Sequence, residues 1–319
     1  RGEFTRDEVI DTLDLFSEKI LGKGVVSCLD TPGFLANRVG VFAIQCALHK
    51  AFEYKLSPTE ADAFFGRPLG LPKTGVFGLY DLIGIDLMAD VVKSLVSILP
   101  ENDAFHNYSS QIKFMTKMIA NGQTGNKNEK GFYKQIGDER QVIDLSNGSY
   151  GPHERLKTPL LEEAEKIGIS FIIKNTSPYG LYVWDVISET LCYAASLVPE
   201  VTDDLTQIDD AMKLGYNWVQ GPFELLDEIG IEYFVDRLQA DGRDVPEFLL
   251  KGINNKFYIN SKSGLSSLSP SGNLKPIIRP DGVLRFSEVR QTLKAINSNE
   301  SASWFEYEGA AIVEFHSKA

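Results

Sequence analysis

The chain has 319 residues, 43% of them hydrophobic and 11% aromatic, which suffices for two or three domains with cores of their own and excludes a disordered chain. Its net charge of -12 and pI near 4.9 argue against an extended nucleic-acid surface or docking on an anionic membrane, both of which need a basic field. They leave room only for local basic pockets that would take a phosphorylated ligand.

No apolar run approaches the roughly 20 residues that cross a bilayer. The start, RGEFTRDEV, lacks an initiator methionine and a signal-peptide core, so the chain is expected to begin inside a larger protein. Thr5 to Glu8 has the form of a capping box, with Val9, Leu13, Phe16 and Ile20 following at helical spacing. GKGVVSCL then reads as a buried strand, so this helix and strand look like the last unit of an α/β domain. DTPGFLANRVGVFAIQCALHKAF, residues 30–52, predicts a helix over 32–55, capped by Asp30 or Thr31 with Pro32 in its first turn. Leu35, Val39, Phe42 and Cys46 form one apolar stripe, and Asn37, Val41, Ile44 and Leu48 lie on a second, so the helix should be buried on two sides. A buried Asn37 amide would then need partners. SPTE at 57–60 is another capping box with proline at the first helical position. GVFGLYDLIGIDLMADVVKSLVSIL and AFHNYSSQIKFMTKMIANG supply two more helices, making 31–121 an all-helical domain.

The sequence then repeats itself. GVFGLYDLIGI at 75–85 matches GPFELLDEIGI at 221–231, with identities that include Gly75/Gly221, Phe77/Phe223, Asp81/Asp227 and Gly84/Gly230. TEADAFFG and TQIDDAMKLG lie upstream at similar distances. Downstream, Phe132-Tyr133 and Phe257-Tyr258 each lead into a strand, a glycine turn (Asn147-Gly148 or Ser271-Gly272), a second strand and a capped helix. The order is helical domain, hairpin, helical domain, hairpin. Counting back equally from Asp62 and its counterpart Asp209 sets Trp184 where the first copy has Asn37.

Little else carries chemistry. No glycine-rich phosphate loop is present, GRPLGLPKTG reads as a turn, and NGQTGNKNEKG at 121–131 is a polar loop. His49, His106, His153 and His316 are scattered; His49 and Glu53 are one turn apart and read either as an acid/base dyad or as a solvated helix-face pair. LLEEAEK and EVTDDLTQIDD are read as solvated helix surfaces and caps. Cys28, Cys46 and Cys192 lie far apart without metal-ligand spacing, so they read as reduced, buried side chains of a cytoplasmic protein.

DTPGFLANRVG, GLYDLIGID, EKGFYK and GPFELLDEIGI together resemble the carboxy-terminal part of L-3-hydroxyacyl-CoA dehydrogenases, in the long multifunctional form of fatty-acid β-oxidation. The resemblance implies a mainly α fold of duplicated helical domains, like the C-terminal domain of 6-phosphogluconate dehydrogenase, with small β-hairpin segments. It implies a remnant of the Rossmann domain at 1–30, a first helical domain at 31–134, and a hairpin with linker helix at 135–175. A second helical domain at 176–252, another hairpin and linker helix at 253–297 and the start of a truncated crotonase-like domain at 298–319 complete the chain. It makes Asn37 the one catalytic residue, positioning a catalytic histidine and the substrate oxygen, and Arg38 a structural neighbour. NAD and 3-hydroxyacyl-CoA are the implied cofactor and substrate of the complete enzyme.

The histidine segment, its partner glutamate, the substrate-binding serine and the dinucleotide fingerprint have no counterpart here, so neither NAD binding, metal binding nor turnover is expected of this chain alone. Its partners would be the Rossmann and crotonase-like domains of the same protein, with a homo-oligomer among the arrangements the resemblance allows and neither nucleic acid nor a membrane span involved. Because short members dimerise through the helical domain, 31–134 is expected to pack on 176–252 with pseudo-twofold symmetry. The competing readings are a non-catalytic assembly or dimerisation module of a multidomain protein and, more weakly, a dehydrogenase of small hydroxy acids.

Overall fold

The computed structural model describes residues 2, 4–252, 256–261, 264–278, 286–290 and 293–316. Its first half runs α1 (Asp7–Leu15), α2 (Ala36–Glu53), α3 (Pro58–Phe64), α4 (Gly75–Ile83), α5 (Ile85–Ile98), α6 (Lys113–Ala120), strands β1 (Tyr133–Ile136), β2 (Glu139–Ile143) and β3 (Tyr150–Pro152), then α7 (Pro159–Ile167) and α8 (Ile169–Ile172). The second half runs α9 (Pro178–Ser196), α10 (Leu205–Tyr216), α11 (Pro222–Ile229), α12 (Ile231–Ala240), α13 (Glu247–Lys251), β4 (Tyr258–Ser261), β5 (Gly264–Leu268), β6 (Leu274–Pro276), α14 (Phe286–Arg290), β7 (Asn297–Ser298), β8 (Ala302–Tyr307) and β9 (Ala310–Phe315). The fold is mainly α with three small three-stranded sheets, β1-β2-β3, β4-β5-β6 and β7-β8-β9.

Two compact units result, 1–258 with 268–274, and 259–267 with 275–319. The first holds all the helices from α1 to α13. Its centre is the antiparallel pair α2 and α9, both buried nearly all round. Phe42 stacks on Tyr193 with ring centroids 4.1 Å apart, and the Tyr182 hydroxyl donates to the Ala47 carbonyl at 3.3 Å. In the second unit, β8 and β9 form a hairpin closed by Glu308 and Gly309, both at positive φ, the geometry favoured in two-residue turns.

Two carboxylates fix the first helical set to its sheet. Asp62 on α3 accepts from the Phe77 and Gly78 amides, at the open end of α4, and from the Tyr133 hydroxyl; Asp81 on α4 accepts from the Phe132 and Tyr133 amides. The same contacts recur around Asp209, which accepts from the Phe223 and Glu224 amides and the Tyr258 hydroxyl, and around Asp227, which accepts from the Phe257 and Tyr258 amides. Each aspartate thus satisfies buried donors that a helix start or strand end would otherwise leave open. Gly75 and Gly221 are required beside them, because a Cβ at either would lie 2.3 Å from the Cβ of Asp62 or Asp209.

Burial raises all four carboxyls: Asp62 to about 7, Asp81 to about 6, Asp227 above and Asp209 well above an ordinary aspartate. A carboxyl raised in this way holds protons in the folded state that the unfolded chain has released, so its contribution is full below about pH 4 and is lost as the pH climbs to the folded value. His49 and His153, lowered by burial, act in the opposite sense below about pH 6.5. Urea midpoints should therefore fall between about pH 6.5 and about pH 8, and Asp62→Asn should shrink that fall. A midpoint that rises over this interval would contradict the assignment.

Several local expectations need correction. The helix predicted over 32–55 begins at Ala36, because the chain first reverses through Gly33 and Phe34 at φ 79 and 51; neither Asp30 nor Thr31 caps it, and the Thr31 hydroxyl is buried without a partner. Thr5 does not cap α1, whose N-cap is Arg6 with no side-chain bond. Residues 22–29 form no strand, since no strand among the described residues offers them a ladder; the Leu29 amide donates instead to the Val201 carbonyl. Gly84, at φ 111, divides one predicted helix into α4 and α5, and 104–108 is a 3-10 turn before α6 rather than its first turns. The first hairpin is a three-stranded meander, because Gly137 at φ 59 makes an additional tight turn between β1 and β2. Ser57 and Thr158 do cap α3 and α7. Part of the second hairpin and linker, at 253–255, 262–263, 279–285 and 291–292, lies outside the described residues.

Candidate active site

Asn37 does not lie on the buried face expected of it, and its structural neighbour Arg38 does. Asn37, the second residue of α2, is exposed, and Arg38 is 1% exposed. A helix turns about 100° per residue, so starting it at Ala36 under the reversal at Gly33 and Phe34 leaves Asn37 on the rim and sends Arg38 inward. Arg38 Nε donates to the Tyr193 hydroxyl at 2.7 Å, Nη2 pairs with Asp103 at 2.5 Å and Nη1 with Glu200 at 3.3 Å. Burial works against its charge, yet Tyr193, Asp103 and Glu200 hold its proton more firmly than usual. Asp103 in turn accepts from the Tyr193 hydroxyl and caps the 3-10 turn at the Phe105 amide. The start of α2 is thereby locked to α9 and to the 103–108 turn.

The Tyr216 hydroxyl donates to Asn37 Oδ1 at 3.5 Å. Tyr216 is the last residue of α10, which Asn217 ends in the left-handed conformation. Its ring occupies the space left by Gly40: a Cβ there would lie 2.1 Å from Tyr216 Cζ. Burial raises the Tyr216 hydroxyl to about 12, so it stays protonated and donates. A glycine inside an otherwise apolar helix signals such a close approach, and that signal is the part of the site the sequence reading missed.

The other candidates fall away. Glu53 pairs with Lys50 at 3.0 Å and the His49 ring bonds to the backbone of Ser110 and Tyr108, so these two residues are no dyad. His106 bonds to the Pro100 carbonyl, and His316 lies 3.0 Å from Ser303. The three cysteines are free, but Cys46 alone is fully buried; burial raises all three thiols. In the loop at 121–131, Gly125 and Gly131 press on Asp81 and Gln123 bonds to Tyr150, while Asn126 and Glu129 line a neighbouring cleft. EVTDDLTQIDD is not a solvated surface: Asp209 is 0% exposed and Asp210 is buried. Trp184 is the seventh residue of α9 whereas Asn37 is the second of α2, so equal counting misaligned them; the connection 197–204 is longer than 54–57. Trp184 is buried, donates to Asp241 at 2.7 Å and carries Arg237 on its ring.

Comparison with known proteins defines the class. Residues 33–135 match the C-terminal domain of 3-hydroxyacyl-CoA dehydrogenase. A protein of Rickettsia prowazekii named as the trifunctional enzyme of a fatty acid oxidation complex is 42% identical over 230 residues, 69% of this chain and 30% of that protein. One of Bacillus subtilis, named as a 3-hydroxyacyl-CoA dehydrogenase, is 32% identical over 327 residues, 99% of this chain and 41% of that protein. The crystal structure of 3-hydroxybutyryl-CoA dehydrogenase from Escherichia coli shares the fold, with a TM-score of 0.53 and 18% identity over 79% of this chain and 66% of that one. The chain belongs to the 3-hydroxyacyl-CoA dehydrogenase family. It spans less than half the length of those Rickettsia and Bacillus relatives.

Among the described residues no helix is long and apolar enough to cross a membrane. They do not fit a dinucleotide either: the sheets have three strands each, and no glycine-rich turn leads from a strand into a helix.

Proposed function

We propose that this chain is the helical, substrate-side part of an NAD-dependent L-3-hydroxyacyl-CoA dehydrogenase of fatty-acid β-oxidation, a cytoplasmic enzyme that oxidises 3-hydroxyacyl-CoA to 3-oxoacyl-CoA when complete. The observation that carries this reading is the amide of Asn37, presented at the rim of α2 inside the matched segment 33–135 and braced by Gly40 and Tyr216. With Oδ1 facing the Tyr216 hydroxyl, Nδ2 is the end that donates, to the substrate oxygen or to a histidine brought by the dinucleotide-binding domain of the same protein. An amide cannot exchange protons at neutral pH, so its role is to orient and polarise. Arg38 supports it from behind by fixing the first turn of α2.

In this reading the segments 31–134 and 176–252 are duplicated helical domains, related to the C-terminal domain of 6-phosphogluconate dehydrogenase. The recurrence of the Asp62 and Asp81 contacts around Asp209 and Asp227 supports the duplication. Residues 1–30 close the dinucleotide-binding domain, and 298–319 begin a crotonase-like one. The nicotinamide is bound by residues outside this sequence, and this chain alone is inactive.

The test is NADH oxidation with acetoacetyl-CoA by this chain and by the same gene extended upstream by about 200 residues. Only the extended protein should turn over, and Asn37→Ala in it should lower kcat by about 100-fold, the usual loss of one oriented donor, with its urea midpoint unchanged. An extended protein that folds but stays silent, or an Asn37→Ala variant as active as its parent, would hand the chain to the assembly-module reading.

A further inference from the structure

Phe34 stands three residues before Asn37 at φ 51, in the left-handed region that a bulky L-residue enters only at a cost. A glycine would hold that turn without strain, as Gly33 does beside it at φ 79. Burial does not offset the cost, because Phe34 is 54% exposed. Neither the turn nor the core therefore explains a phenyl group at this position.

The antiparallel partner of α2 shows how a central helix of this fold starts when nothing further is asked of it. Ser177 caps α9 from ordinary extended backbone, accepting from the Gly180 amide at 3.4 Å, and Pro178 follows in the first turn. No residue from 169 to 196 has a positive φ. In contrast, α2 has Leu35 as its N-cap, with no side-chain bond, behind two left-handed residues. Unrelieved strain of this kind concentrates at sites that hold a ligand.

Three residues of chain span at most about 11 Å, and the turn over 32–35 keeps Phe34 closer than that to Asn37. A ligand held at Asn37 thus comes within reach of the ring. A phenyl group offers no hydrogen bond, so among the parts of a hydroxyacyl-CoA it suits the hydrocarbon tail rather than the thioester or the amides of the CoA arm.

We infer that Phe34 is a substrate-contact residue that reads acyl chain length, its ring lying along the tail of a hydroxyacyl-CoA whose 3-oxygen is presented to Asn37. This role rests on the Asn37 reading and adds a specificity determinant to it.

The test uses the protein extended upstream by about 200 residues, assayed by NADH oxidation with acetoacetyl-CoA and with 3-oxodecanoyl-CoA. Phe34→Gly should lower kcat/KM for the long substrate about tenfold, the scale of a lost apolar contact in a pocket, and leave that for acetoacetyl-CoA within about twofold. Phe34→Leu, still apolar, should fall between parent and glycine variant. In the 319-residue chain Phe34→Gly should melt no lower than its parent, because glycine takes the positive φ freely. Equal losses on both substrates, or none on either, would overturn the inference. So would a parent that accepts acetoacetyl-CoA alone, since no tail would then lie along the ring. A raised KM for NADH would give the ring to the nicotinamide instead, and a lower melting temperature would make it part of the core; either result ends the proposed role. Asn37→Ala keeps the two readings apart, because it should cut turnover of both substrates alike. If it does so while Phe34→Gly spares the long chain, only the role of Phe34 falls; an extended protein that folds and stays silent removes both.

Discussion

Arg38→Leu should cost the fold about 3–5 kcal/mol, the usual consequence of stripping one partner from a buried ion pair. The loss comes less from the missing attraction than from what stays behind. Asp103, with a side chain 5% exposed, keeps its charge without the guanidinium 2.5 Å away, and the Tyr193 hydroxyl loses the donor at 2.7 Å. Glu200, half exposed, can turn to water and adds little. The double variant Arg38→Leu, Asp103→Leu should recover part of the stability, because it removes the stranded charge as well. Urea denaturation of the two single variants and the double variant makes a closed cycle. A loss below about 1 kcal/mol for Arg38→Leu would mean that the pair is solvated in practice and that α2 is anchored by its apolar stripes alone.

Asp209→Ala is the second large effect, and it should destabilise by about 3–6 kcal/mol. Three donors lose their acceptor at once: the Phe223 and Glu224 amides and the Tyr258 hydroxyl. Each buried donor left open costs about 1–3 kcal/mol. Gly221 faces the emptied space, so the site cannot close by a simple shift of a large neighbouring side chain. Asp209→Asn should cost less, since one carbonyl oxygen survives while the new amine meets a backbone N–H. Thermal melting of the three proteins gives the order native, asparagine, alanine; equal melting points for the native protein and the alanine variant would show that water satisfies these donors.

Repetition made the fold legible in the sequence, and chain reversals concealed its details. The match of 75–85 to 221–231 locates both helical sets, and Ser57 marks a helix start because proline follows it directly. The start of α2 could not be read in this way. Phe34 adopts a positive φ that its residue type gives no reason to expect, and that single dihedral decides whether Asn37 or Arg38 faces the core. Asp209 was hidden for another reason. In EVTDDLTQIDD it stands among carboxylates of every exposure, from exposed Asp203 to buried Asp210, and its distant partners at 223, 224 and 258 distinguish it. Tyr216 belongs to the site through a contact 179 residues away in sequence, which no local pattern encodes.

The pairing of α2 with α9 inside one chain has a consequence for inheritance. When two identical subunits meet across a twofold axis, every substitution at the contact appears twice and must suit its own copy. Here the two faces are coded separately. One can carry a guanidinium and the other the phenol that receives it, as Arg38 and Tyr193 do, without either residue having to tolerate itself across the seam. The pairing is also indifferent to dilution, because the partner is tethered and its effective concentration is set by the linker rather than by expression level.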